Sequence, residues 1–279
     1  MAWHELPLII FTVFAQTSVG AFVILGLAVL SGQMNEAQHK RMLQGMFFML
    51  ALMGLGFMAS TMHLGSPLRM FNSLNRVGAS WLSNEILTCS VFFGFAGLYW
   101  LGALTGKVSA SVQKLLLVLG MLAGLIAMYA MTHVYLINTV PTWNNGFTPL
   151  AFALTVIISG FAFASVILAY ALDKPWPITN YLPRVGAVFA LVSVLVSVNL
   201  VMALPEMKSA IQVASDIIPN LNRLLTWRYL VLFAGIACWM MGAKRQNQLA
   251  LLACGSLLII VSELMGRGVF YGLHMTAGM

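Results

Sequence analysis

About eight apolar runs, each long enough to cross a bilayer, take up most of this chain and leave it few ways to fold. Their cores are residues 8–30, 43–62, 84–106, 112–137, 148–172, 184–204, 225–243 and 248–268. A helix crosses the ~30 Å of bilayer hydrocarbon with roughly 20 apolar residues. In lipid every backbone N–H and C=O must be satisfied internally, which makes each run a transmembrane α-helix. With 61% hydrophobic and 8% charged residues and a mean hydropathy of +0.92, the chain does not have the composition of a soluble domain. The expected fold is all-α: a polytopic membrane protein of about eight helices, forming one integral membrane domain over residues 1–279, with no internal sequence repeat. The first run has no Lys or Arg ahead of it, so it reads as a retained helix and not a cleaved signal.

An even number of spans puts both termini on one side, here called side A. The opposite side B receives Lys40, Arg41, Lys107, Lys114, Lys174, Arg184, Lys244 and Arg245, all close to span ends in short loops. Side A receives Arg69, Arg76, Lys208, Arg223, Arg228 and Arg267, together with most of the acidic residues. By the positive-inside rule side B is cytoplasmic and side A periplasmic. The net charge of +7 is accounted for by these loops. No basic stripe with interleaved aromatics is present, which argues against nucleic acid as a partner.

Ionisable chemistry concentrates in one side A connection, MHLGSPLRMFNSLNRVGASWLSNE (residues 62–85), which holds His63, Arg69, Asn72, Asn75, Arg76 and Glu85. Gly65, Pro67 and Gly78 interrupt any helix there. Irregular backbone at membrane depth persists only when buried in protein or lining a wet cavity, so the stretch reads as a folded loop closing over one. His63 is expected to end one helix and Glu85 to start the next. Glu85 either caps that helix or accepts a proton in the cavity. His63 either satisfies a helix end or hydrogen-bonds an oxygen of a bound ring. Arg69 and Arg76 anchor the loop to headgroups or carbonyls, or pair with Glu85 or a docked partner.

The cysteines, Cys89, Cys238 and Cys254, are isolated in apolar runs, and no spacing suited to an iron–sulfur cluster or haem attachment occurs. Five histidines (His4, His39, His63, His133, His274) leave little room for haem ligation from facing helices, so neither haem nor cluster is expected in this chain. Thr12, Gln16 and Gly20 share one helix face. Gly120 and Gly124 form a GxxxG pair, and Ser193 and Ser197 lie one turn apart; such small and hydroxylated residues suit close helix packing. Glu263 and Arg267, four apart in the last span, are expected to pair with each other. The 4–5 connection, INTVPTWNNGFTP, reads as an ordered interfacial loop. The longer 6–7 connection is expected to carry a short amphipathic helix using Ile211, Ala214 and Ile218.

The 62–85 stretch, with WHELPLIIFTVFAQ, INTVPTW, LTWR and GRGVFYGLHM, is very similar to the membrane anchor subunit of bacterial anaerobic dimethyl sulfoxide reductase, the DmsC family. The resemblance runs from end to end and is most specific in residues 62–85. It implies eight membrane helices with periplasmic termini in the cell inner membrane and a haem-free subunit that binds menaquinol. It also implies two partners: an iron–sulfur electron-transfer subunit with four 4Fe–4S clusters, and a molybdopterin catalytic subunit. Quinol chemistry in the family is tied to a histidine and a glutamate, which fall on His63 and Glu85. A contact of Arg69, Arg76, Asn72 or Asn75 with the quinol is our own inference from their place in the same motif. Around His133 the sequence departs from the family pattern.

The expected division of labour is that this chain binds menaquinol under the 62–85 loop near side A. His63 holds a ring oxygen, Glu85 takes a proton, and electrons leave to a docked partner. A small-solute transporter is the first rival, but it calls for ionisable residues or broken helices near mid-membrane, in paired halves. A purely structural anchor without quinol chemistry is the second.

Overall fold

The computed structural model describes residues 5–63, 67–174, 176–209, 212–245 and 248–276, with the side chains of residues 67–70 excepted. Eight helices long and apolar enough to span a membrane occur among them. They are α1 (Leu6–Leu30), α2 (Glu36–Met62), α3 (Trp81–Thr105), α4 (Ala110–Val134), α5 (Phe147–Ala171), α6 (Pro177–Ala203), α7 (Leu221–Lys244) and α8 (Leu249–Gly272). The all-α expectation holds. Apart from one isolated bridge between Lys208 and Val213, the described residues carry no strand pairing.

Several helices extend past their apolar cores, for local reasons. α2 starts at Glu36, ahead of the apolar run, because Asn35 and Gln38 close a reciprocal capping box over its first turn. α3 starts at Trp81, which places Glu85 a full turn inside the helix. The capping role considered for Glu85 therefore does not apply, and Ser80 occupies the cap position. α3 ends on Gly106 in the left-handed conformation (φ 65°), which glycine adopts without a Cβ clash.

The 6–7 connection differs from expectation. Its described residues form two short 3₁₀ turns, Leu204–Glu206 and Ala214–Asp216, in place of the amphipathic helix. Ile211 lies outside the described residues, while Ile218 turns inward toward α8, where a Cβ on Gly272 would meet its Cδ1 at 3.1 Å. Pro205 and Pro219 stand near the two ends of the connection, and 3₁₀ helix is used in such short pieces.

The helices pack as two rings of four. α1 touches α2 and α4 while α3 touches both; α5 touches α6 and α8 while α7 touches both. The rings join where α1 crosses α5, which run in the same direction by parity. Glycines make this junction possible. A Cβ on Gly160 would lie 2.5 Å from Gly20 Cα and 2.7 Å from its carbonyl carbon, far inside van der Waals contact. Thr17 Oγ1 donates to Ser159 Oγ across the same crossing at 2.8 Å. Gly120 and Gly124 serve α4 similarly, against Phe22 and Val19 of α1 and Phe95 and Phe92 of α3. On side B, Arg41 Nη2 donates to Asp173 Oδ1 at 2.5 Å and Gln38 donates to its other oxygen, tying α2 to the 5–6 loop. Those two hydrogen bonds hold the Asp173 carboxyl below the ordinary carboxylate range.

Candidate functional site

At the side A end the residues singled out in the sequence separate into two groups. Residues 67–76 form a 3₁₀ segment that leaves Asn72, Asn75 and Arg76 exposed to the outside. The Arg69 side chain lies outside the described residues. Asn84 Oδ1 accepts from the Gly78 N–H at 2.7 Å and fastens the end of this segment to α3. Trp81, Tyr129 and His133 stack beside it, their ring centroids 4.1–5.8 Å apart. Trp81 and Tyr129 are exposed, as in an aromatic belt at a membrane interface.

Glu85 and His63 lie differently. Glu85 is buried, only 2% exposed, and its Oε1 has no hydrogen-bond partner among the described residues. It lies one turn into α3, with Cys89 one turn further along the same helix, and Tyr135 is the C-cap residue of α4, the helix that packs on α3. The Tyr135 and Tyr271 hydroxyls hydrogen-bond to each other. His63 terminates α2 as expected. Its half-exposed ring places Nε2 3.7 Å from Glu5 Oε2, at the foot of α1.

Beside these residues opens an apolar cavity of about 750 Å³ between the start of α1, the last turns of α8 and the 6–7 connection. Its wall includes Leu6, Ile10, Ile218, Leu264, Gly268 and Tyr271. The volume falls in the range of small-molecule sites. The described part of the 62–85 stretch does not line it. His63 reaches its neighbourhood through Glu5, the residue before Leu6.

Deeper in the bundle lies a polar cluster that the sequence indicated only in fragments. Arg267 Nη2 donates to Gln16 Oε1 at 2.6 Å, and its guanidinium sits 3.6 Å from the centre of the Phe152 ring. Thr155 Oγ1 donates to Glu263 Oε2 at 2.6 Å. Glu263 Oε1 faces Arg228 Nη2 at 3.7 Å, a charge contact too long for a hydrogen bond, and Ser193 and Ser197 accept from Arg228. All these side chains are buried or nearly so.

The expected Glu263–Arg267 pair does not form, and this corrects the sequence expectation. On an isolated helix, residues four apart have only each other, but in the bundle α1, α5 and α7 offer both charges better placed partners. Arg228 and Arg267 therefore lie buried inside α7 and α8, bound to neighbouring side chains, and are not loop charges. The polar face of Thr12 and Gln16, the Ser193–Ser197 pair and the GRGVFYG segment carried the signal for this cluster. None of them showed that the three would meet.

The sequence matches the family model described as "DMSO reductase anchor subunit (DmsC)" over residues 1–273. It is 46% identical to the anaerobic dimethyl sulfoxide reductase chain YnfH of Escherichia coli (strain K12), over 99% of this chain and 97% of that protein. Identity is 42% to the anaerobic dimethyl sulfoxide reductase C chain of the same organism and 40% to that of Haemophilus influenzae. Each alignment covers 99% of this chain and 97% of the relative.

Proposed function

We propose, since this chain belongs to the family of DMSO reductase anchor subunits, that it binds menaquinol at its side A end and oxidises it. Electrons pass to a docked iron–sulfur subunit carrying four 4Fe–4S clusters and from there to a molybdopterin catalytic subunit that reduces a sulfoxide. Menaquinol is the substrate here; this chain's residues bind it, orient it and take its protons, and metal redox chemistry belongs to the partners. The chain lies in the inner membrane with side A facing the periplasm.

The observation that carries this reading is the buried Glu85 carboxylate, one oxygen unpartnered, at the same end of the bundle as His63 and the apolar cavity. A buried ionisable group inside a membrane bundle is by default functional. An uncompensated buried acceptor at the same end as a ligand-sized cavity suits proton uptake from a hydroxyl. His63, paired with Glu5 next to the cavity-lining Leu6, holds the other end of a ring that enters from the bilayer. The exposed Asn72, Asn75 and Arg76 lie on the outer surface of side A, where they suit a docked protein better than the quinol ring.

The transporter reading draws less support. The deeper charges of Glu263, Arg228 and Arg267 are engaged with neighbouring side chains, Arg267 lying over the Phe152 ring, and the eight spans run unbroken.

The test is to purify the complex in mild detergent, extract it with organic solvent and measure menaquinone per complex, then supply a soluble naphthoquinol. Bound menaquinone and naphthoquinol-driven sulfoxide reduction are expected. A complex that reduces sulfoxide from an artificial dye, yet neither holds quinone nor accepts electrons from the naphthoquinol, is a structural anchor only.

A further inference from the structure

Tyr271 belongs to two features at once. Its side chain forms part of the wall of the 750 Å³ cavity, and its hydroxyl is bonded to Tyr135 in the buried interior. The cavity is otherwise walled by aliphatic side chains and glycines, with Leu6, Ile10, Leu264 and Gly268 among them. Glu85, one turn into α3 and with an unpartnered oxygen, and Tyr135, the C-cap residue of α4, lie at the side A end of two helices that pack against each other. Tyr135 is held in place by Trp143, Phe152 and Phe270, whose ring centroids lie 5.3–5.6 Å from its own. Trp143 is in turn fixed by donating its indole N–H to the Phe270 carbonyl at 2.8 Å. Two buried phenols in mutual hydrogen bond thus lead from an apolar chamber to the α3–α4 pair that carries the buried carboxylate.

We propose that the quinol ring occupies this cavity and that Tyr271 and Tyr135 carry its protons to Glu85. The inference rests on the quinol reading above and adds to it the place of the ring and the residues of the path. A lipid acyl chain would fill the aliphatic part equally well but would leave the phenol pair without a purpose.

In each of two equivalent steps, one electron leaves the quinol for an iron–sulfur cluster of the partner. One hydroxyl proton passes to the Tyr271 oxygen while the proton of Tyr271 moves to Tyr135 and that of Tyr135 to the Glu85 carboxylate, directly or through one water. Both phenols end as they began. Glu85 becomes a carboxylic acid and then releases its proton toward side A. After two passages the quinol has become quinone, with two protons and two electrons delivered. The shared hydroxyl–hydroxyl bond fits this use, because either oxygen can act as donor.

Tyr271 is thus a catalytic residue and Tyr135 a positioning residue that acts through it. The test uses the intact membrane complex carrying Tyr271→Phe, Tyr135→Phe, or both. Dye-driven sulfoxide reduction should stay at the wild-type level, which shows assembly and electron transfer intact. Naphthoquinol-driven kcat should fall about 100-fold or more in each single variant, the ordinary contribution of a positioned proton acceptor. The double variant should be no slower than the more severe single one, since one path is cut either way. The pH profile of the naphthoquinol-driven rate should flatten in Tyr135→Phe, an effect that a mere packing change would not produce.

The location is tested separately by Gly268→Leu, which fills the chamber. A Cβ there meets only Ile9 Cδ1, at 3.8 Å, so the backbone tolerates it. Naphthoquinol Kd should weaken at least about tenfold. Wild-type quinol turnover in both tyrosine variants, or losses that multiply in the double variant, would overturn the path. Unchanged Kd in Gly268→Leu would overturn the location and leave the cavity to lipid. A wild-type complex that neither binds nor oxidises naphthoquinol would overturn this inference together with the function it rests on.

Discussion

Replacing Gly160 by alanine tests how the two rings are joined. The added methyl would sit 2.5 Å from Gly20 Cα, 2.7 Å from Gly20 C and 2.9 Å from Ala21 N. All three are backbone atoms, so rotation of a side chain relieves none of them. Ordinary contact begins near 3.4 Å, and α1 and α5 must therefore separate by roughly 0.9 Å at their crossing. The Thr17–Ser159 hydrogen bond, 2.8 Å long across the same crossing, would then stretch beyond hydrogen-bonding reach. Overpacking of this kind costs about 1–3 kcal/mol. A lost interhelical hydrogen bond in a membrane adds ~0.6 kcal/mol. Alanine in place of glycine returns up to ~1 kcal/mol of helix propensity. The net expectation is about 1–3 kcal/mol of destabilisation, read as a lower thermal midpoint and lower yield of the detergent-purified complex. Gly94→Ala is the control, since a Cβ there meets nothing within 4 Å, and it should be neutral or slightly stabilising. A Gly160→Ala complex as stable as wild type would show that the crossing is not the tight junction described.

Three further outcomes are expected. Arg267→Met removes the donor to Gln16 and leaves Gln16 Oε1 unpaired in the core; an unsatisfied buried acceptor costs roughly 1–3 kcal/mol, measured as loss of folded complex. His63→Ala should weaken binding of a quinol-analogue inhibitor by roughly tenfold to more than a hundredfold, the value of one charge-assisted hydrogen bond, and unchanged affinity would remove His63 from the site. In sealed vesicles supplied with menaquinol and sulfoxide, a potential-sensitive dye should report no turnover-linked potential, because protons and electrons leave on the same side. Carrying one charge across 100 mV would cost ~2.3 kcal/mol, so a potential that builds with turnover would place the site or its proton exit on the wrong side.

The eight spans were legible because lipid imposes one requirement on every residue of a span, and that requirement is written locally as apolar length. Helix ends were less legible: α2 begins at Glu36 because Asn35 and Gln38 cap each other, a signal present in the sequence but masked by the polar run around it. The Glu263–Arg267 expectation failed because it weighed two residues on one helix, while their partners Gln16, Thr155 and Arg228 come from elsewhere in the chain. Glu85 and His63 stood out as rare charges in an apolar chain. Tyr271 and Tyr135 did not, since a tyrosine near a helix end is ordinary at a membrane interface. Only their hydrogen bond and the adjoining cavity set them apart.

The central claim is that Glu85 receives the quinol's protons, and the most direct measurement compares two electron donors on one variant. Glu85→Gln keeps the shape and hydrogen-bonding capacity of the side chain but removes its ability to take a proton. In the assembled complex the account predicts dye-driven sulfoxide reduction at the wild-type rate and menaquinol-driven reduction lower by about 100-fold or more. Menaquinol-driven turnover near the wild-type rate, with the dye-driven rate also intact, would contradict it.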